Sequence, residues 1–186
     1  MVTHIVRRLF TTDDYHRMLQ NGVLTEDDRV ELIEGEVLAM SPIGSRHAAC
    51  VKRLNRLLAR GVGTRAIVSV QDPIHLSARS EPQPDLALLQ PRNDFYVDAH
   101  PEPEDVLLVI EVAESSQDFD RATKIPLYAQ AGISEVWLVD LASDCIQTYS
   151  QPSARGYGEI HQLWRGQTAA CQAFPDAPIP VTDILG

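Results

Sequence analysis

The stretch "DVLLVIEVAE", Asp105 to Glu114, reads as the centre of a sheet. From Val106 to Ala113 its apolar residues fall on both alternating faces, as expected of a strand covered on both sides. Glu111 stands alone inside it. A second stretch, "SEPQPDLALL", Ser80 to Leu89, sets a Pro-Asp pair at the head of another apolar run. Asp and Glu are almost never fully buried without a partner, so the two runs together ask what Asp85 and Glu111 hold.

Working outward, Thr11 or Thr12 can cap a short helix in "DDYHRMLQNG" that Gly22 ends. "RVELIEGEVLAMSP" reads as two strands turning near Glu34-Gly35. Ser45 is placed to cap a helix running to Arg60, with Val51, Leu54 and Leu58 at helical spacing and Gly61 and Gly63 ending it. "RAIVSVQDPIHL" and "PDLALLQP" read as strands, and "NDFYVDAHPEPED" as a loop. After the central strand a loop, "AESSQDFD", leads to a helix from about Asp120 to Ala131, closed by Gly132; Pro126 inside it predicts a late start or a bend. "EVWLVDL" is a further strand, "CIQTYSQ" and "YGEIHQLWRG" an antiparallel pair, and the Pro-rich tail irregular chain with a short terminal helix. Strands in a block between helices predict a mixed sheet flanked by helices, in the α/β or α+β class.

The 186 residues, 44% hydrophobic, suit one domain spanning 1–186. No apolar run is long enough to span a bilayer, and the N-terminal residues lack a secretory pattern, so a cytoplasmic protein is expected. Cys50, Cys145 and Cys171 are scattered and read as buried thiols. The formal net charge of -10 argues against a general nucleic-acid binder. However, Ser41 to Gln71 contains no Asp or Glu and carries Arg46, Lys52, Arg53, Arg56, Arg60 and Arg65; Arg46, Arg53 and Arg60, spaced by seven, share a helix face. The histidines show no zinc spacing, and no nucleophile elbow, P-loop or dinucleotide fingerprint is present.

Asp85 and Glu111 lie 26 residues apart, enough for a strand, a loop and a returning strand that bring the carboxylates side by side. Two such ionised groups repel. A divalent cation resolves the conflict, and carboxylate oxygens are what Mg²⁺ (or Mn²⁺) takes. Lys124 can point back from the helix to the same strand end, orienting a water or stabilising charge on a phosphate. The structural alternative is a paired buried charge without metal, and Pro-Asp also suits a strand start for backbone reasons alone.

In order and spacing, "LTEDDRVELIEGEVLAMSPIGSRH", "SEPQPDLALL", "VLLVIEVAESS", "FDRATK" and "LYAQAGISEVWLVDL" resemble the Uma-two family of restriction-endonuclease-like proteins, within the PD-(D/E)XK nucleases. The likeness runs from about Phe10 to Tyr149 and more weakly beyond. It implies an αβββαβ core with added strands. It assigns Asp85 and Glu111 to a metal, with the Val112 carbonyl as a further ligand, and Lys124 as the catalytic lysine. The plain pattern puts the lysine two residues after the acid, where this chain has Ala113; the resemblance implies a lysine moved to the following helix. Glu31, in "ELIEGE", matches the family's Glu-Leu-Ile-x-Gly motif as a fourth member, with Glu34 and Glu36 competing for any role. His47 could touch phosphate or water, or pack. Asp120 matches the family's aspartate before the lysine, though a helix N-cap would also explain it. Tyr128, a turn after Lys124, reads as packing.

The activity the resemblance implies is Mg²⁺-dependent hydrolysis of DNA, with in-line attack of water on phosphorus that leaves a 3′-hydroxyl and a 5′-phosphate. The arginine-bearing helix would contact phosphates, and a homodimer would suit cleavage of both strands. The competing expectation, favoured by the acidic charge, is a nuclease fold that binds or regulates with little turnover.

Overall fold

The computed structural model describes residues 7–25, 27–114 and 119–186. Helix α1 (Thr12–Gln20) starts from Thr11, whose hydroxyl accepts from the Asp14 N–H while the Asp14 carboxylate accepts from the Thr11 N–H. This reciprocal cap contributes about 1 kcal/mol. Strands β1 (Val30–Ile33) and β2 (Glu36–Ala39) form the expected hairpin, turning through Glu34 and Gly35 at positive φ. A side chain on Gly35 would meet Leu9 Cβ at 2.7 Å, so glycine is required there on two counts.

Helix α2 (Ser45–Val62) follows; Gly44, not Ser45, is its cap residue, and Ser45 is the first helical residue. Strands β3 (Ile67–Val70), β4 (Leu86–Leu89) and β5 (Val106–Ala113) then form an antiparallel meander. β3 is shorter than "RAIVSVQDPIHL" suggests, because Gln71 turns into the left-handed region (φ 58°) and Pro73 has no N–H to pair. A π-helical turn, Asp120–Lys124, leads into helix α3 (Ile125–Gln130). Pro126 accounts for the form of this segment: with one donor missing, the Ile125 N–H reaches back five residues to the Asp120 carbonyl. Of the loop expected before it, residues 115–118 lie outside the described residues.

Strand β6 (Glu135–Asp140) pairs parallel to β5, and β7 (Cys145–Ser153) and β8 (Gly156–Trp164) complete a six-stranded sheet in the order β3-β4-β5-β6-β7-β8. Short strands β9 (Thr168–Ala169) and β10 (Ile179–Pro180) and helix α4 (Val181–Leu185) close the chain. The segment α2–β3–β4–β5–α3–β6 reproduces the expected αβββαβ order.

β5 is buried on both faces, as its composition predicts. Leu108, Ile110 and Val112 pack with α2 and α4; Val109 and Ala113 pack with α3 on the opposite side. All three cysteines are buried free thiols. No helix among the described residues is long and apolar enough to cross a membrane.

Candidate active site

The register of the meander brings the first acids together. Leu86 pairs with Ile110 and Val70 with Leu86. One step further along, Gln71 and Asp85, just outside β3 and β4 and joined by the Gln71 N–H to the Asp85 carbonyl, come level with Glu111 on β5. The Asp85 carboxylate accepts from His47 Nε2 (2.9 Å), Gln71 Nε2 (3.1 Å) and the Val112 N–H (2.9 Å). A residue in an extended strand turns its N–H and C=O to the same neighbour, so the Val112 carbonyl faces the Asp85 side of β5. His47 reaches Asp85 from the first turn of α2. The hydrogen bond to Asp85 raises the pKa of His47, against the opposing effect of burial.

Glu111 lies on the α3 face of β5, where alternation with Val109 and Ala113 puts it. It is 3% exposed. Its Oε1 accepts from the Tyr128 hydroxyl at 2.7 Å and lies 3.3 Å from Lys124 Nζ. Lys124 Nζ is also 3.1 Å from Glu31 Oε2, and the same Glu31 oxygen accepts from the Gln83 N–H at 3.2 Å. Lys124 and Tyr128 are four residues apart, so successive helical turns present both to one carboxylate.

Burial pushes the Glu111 carboxyl up to about 8; Lys124 pulls the other way, and the neighbouring Asp120 and Asp85 reinforce the rise. For Lys124, burial opposes charge, but Glu111, Glu31 and Asp120 outweigh it and push its pKa up. Lys124 is therefore a fixed cation, while Glu111 is a carboxylate whose negative form is incompletely compensated.

A cleft of about 490 Å³ opens between the β1–β2 hairpin, the start of α2 and the sheet. Glu31, Asp85, Glu111, Glu114 and Asp120 line it, against Arg29, Lys124 and His47. The excess of acids repels a phosphate and attracts a cation. Oxygen donors from Asp85, Glu111 and the Val112 carbonyl fit a hard divalent ion. Such an ion would satisfy a carboxylate that burial holds weakly acidic. His47 Nδ1 is buried with no hydrogen-bond partner among the described residues.

All four candidate catalytic residues, Glu31, Asp85, Glu111 and Lys124, thus line the same cleft, and Glu31, Lys124 and Glu111 are in direct ion-pair contact. Glu34 belongs to the hairpin turn and Glu36 pairs with Arg7 on the surface, and neither lines the cleft that Glu31 lines. Asp120 is buried within the π-helical turn and lines the cleft; the N-cap position belongs to Phe119. Tyr128, read as packing, instead binds Glu111; a tyrosine one turn past the lysine on the same face was the available signal. Gln71 gave none, because its role depends on strand register.

The basic helix differs from expectation. Arg46 donates to the Leu141 carbonyl and pairs with Glu114; Arg53 donates to the Ile184 and Leu185 carbonyls, capping α4; and Arg65 pairs with Asp176. These side chains are joined to the protein itself. Lys52, Arg56 and Arg60 form the exposed stripe of α2.

A family model described as "Putative restriction endonuclease", Uma2, matches residues 12–182. A solved structure from Anabaena variabilis ATCC 29413, described as a putative nuclease belonging to DUF820, is similar in fold, with a TM-score of 0.72 at 15% identity, covering 95% of this chain and 97% of that one. None of the curated proteins compared matches the chain.

Proposed function

Because the chain belongs to the Uma2 family, we propose that it is a divalent-metal-dependent nuclease hydrolysing phosphodiester bonds in DNA. The observation that carries this reading is the meeting of Asp85, Glu111, Glu31 and Lys124 in one acidic cleft. Asp85, Glu111 and the Val112 carbonyl would hold Mg²⁺ or Mn²⁺. When bound, the ion supplies Lewis acidity to a phosphate oxygen and cancels the negative field of the cleft.

The chain's own residues divide the remaining work. Glu31 and Glu111 fix Lys124 Nζ from two sides, so its charge is oriented before substrate arrives. From there it can align the attacking water and stabilise charge developing on the phosphate. Tyr128 holds the Glu111 rotamer. His47 and Gln71 hold Asp85 through its two carboxylate oxygens, one each. Lys52, Arg56 and Arg60 offer sequence-independent phosphate contacts. A two-fold homodimer would bring a second cleft to the other strand; sedimentation of the purified chain with a DNA duplex tests this.

A second reading is a nuclease fold that binds with little turnover. It is favoured by the engagement of Arg46, Arg53 and Arg65 in internal contacts, which reduces the basic footprint. The deciding experiment is plasmid nicking with Mg²⁺ by the wild type and by Asp85→Ala. Loss of several kcal/mol of charge stabilisation corresponds to roughly a 10²-fold or greater drop in rate. Equal nicking by both proteins removes the hydrolytic proposal.

A further inference from the structure

A second cluster of metal-ligating side chains lies outside the cleft. Glu81 is 2% exposed, yet its two carboxylate oxygens lie 2.8 and 3.0 Å from the same donor, His16 Nε2 on α1. Facing His16 is His100, its ring 6.2 Å away centroid to centroid and inclined at 60°. One ligand atom from each of His16, Glu81 and His100 falls within 4.8 Å of the others. These residues lie 65 and 19 positions apart in the chain, so no linear spacing announces them.

Each of the three segments is independently anchored. α1 is fixed by the Tyr15 hydroxyl on the Val30 carbonyl and by the Thr12 N–H on the Ala78 carbonyl. Glu81 donates its N–H to Leu32, bridging to β1. The loop bearing His100 is tied by the His75 N–H to the Pro101 carbonyl. The backbone thus delivers two imidazoles and one buried carboxylate to a single point before any ion is present.

We propose that His16, Glu81 and His100 form a transition-metal site selective for Zn²⁺-like ions, distinct from the oxygen-lined cleft. Two imidazole nitrogens and one carboxylate oxygen are a zinc ligand set, with water in the fourth position, whereas Mg²⁺ favours oxygen alone. Tetrahedral bonds of about 2.0–2.2 Å separate ligand atoms by roughly 3.3 Å. The present spread therefore closes by a movement of at most ~1.5 Å, which exposed His100 can make by turning towards the buried pair. The ion replaces the proton between His16 and Glu81 and gives the buried carboxylate a fuller counter-charge. Its consequence is a staple. The segment from Glu81 to Asp85 carries Gln83, whose N–H holds Glu31, so a metal at Glu81 braces the strand entry that positions two cleft acids.

The test is Zn²⁺ titration of the chelator-stripped full chain in competition with a metallochromic chelator, repeated with Co²⁺ to read its visible spectrum. The site predicts one tight equivalent unaffected by millimolar-scale Mg²⁺ and an intense four-coordinate Co²⁺ band. His16→Ala and His100→Ala should each weaken Zn²⁺ binding at least about 10-fold. His100 is exposed, so that variant retains the fold and keeps the test valid if His16→Ala does not. Asp85→Asn should bind Zn²⁺ at this site as the wild type does, separating the result from that of the cleft. Zn²⁺ affinity unchanged in His100→Ala, or no Zn²⁺ taken up by the wild type, overturns the proposal.

Discussion

Glu111 and Asp140 occupy neighbouring parallel strands, β5 and β6, and point to the same face of the sheet. Both are buried. Asp140 is surrounded by donors: the Ala142 and Ser143 N–H groups at 3.1 and 2.9 Å and Arg121 Nη2 at 2.8 Å. Burial acts to raise its pKa, but the bonds from Ser143 and Arg121 overcome this and hold it below the usual carboxylate value. Glu111 has one hydroxyl and a lysine shared with Glu31, and its carboxyl is pushed up to about 8. The first acid is a completed structural element. The second retains an unmet demand for positive charge, and it faces a cleft through which a cation can arrive. This contrast distinguishes a candidate metal ligand from an ordinary buried acid better than burial alone.

The largest effect should come from removing each acid's cation. Lys124→Met leaves Glu31 and Glu111 buried without their shared partner, and should cost about 3–5 kcal/mol in chemical denaturation with chelator present. Mn²⁺ should restore part of that loss. Arg121→Met should cost less, because the backbone donors to Asp140 remain, and should not respond to Mn²⁺. Equal costs and equal metal responses would erase the distinction.

Proton linkage gives the two acids opposite signs. Glu111 has a folded value of about 8 against an ordinary 4.5, so its contribution is fully present below about 4.5 and is lost as pH rises through about 8. Asp140, lowered from 3.8, contributes above its ordinary value and loses that contribution as pH falls through the folded one. In EDTA, urea stability of the wild type should therefore decline across the Glu111 window, and Glu111→Gln should flatten the decline. An unchanged pH slope in that variant would contradict the reading.

A smaller effect is expected from Tyr128→Phe, which removes one donor from Glu111 and nothing from Asp140. About 1–2 kcal/mol of stability should be lost, with nicking reduced roughly 10-fold if Glu111 orientation matters. The smallest is Gln71→Ala, where His47 and Val112 still hold Asp85; a loss within about 0.5–1.5 kcal/mol is expected in thermal melts.

Much of this arrangement was legible in the chain. The two-sided apolar pattern of Val106–Ala113 identified the central strand, and the 26-residue interval placed Asp85 and Glu111 on pairing strands. Helix boundaries followed from Thr11, Gly63 and Pro126 within a residue or two. The hydrogen-bonding role of Gln71 was not legible, because it depends on strand register; that of Tyr128 was signalled only by its place one turn past Lys124. The arginines misled for a related reason. Spacing by seven correctly puts Arg46 and Arg53 on one face of α2, but says nothing of the Leu141, Ile184 and Leu185 carbonyls that meet it. His16, Glu81 and His100 share no linear pattern at all.

The most direct test of the central claim is a crystal of the chain soaked in Mn²⁺ and examined by anomalous diffraction. The expected result is a Mn²⁺ peak bonded to carboxylate oxygens of both Asp85 and Glu111, with Lys124 beside it but not bonded to it. A cleft without that peak at saturating Mn²⁺, with the fold unchanged, would contradict it.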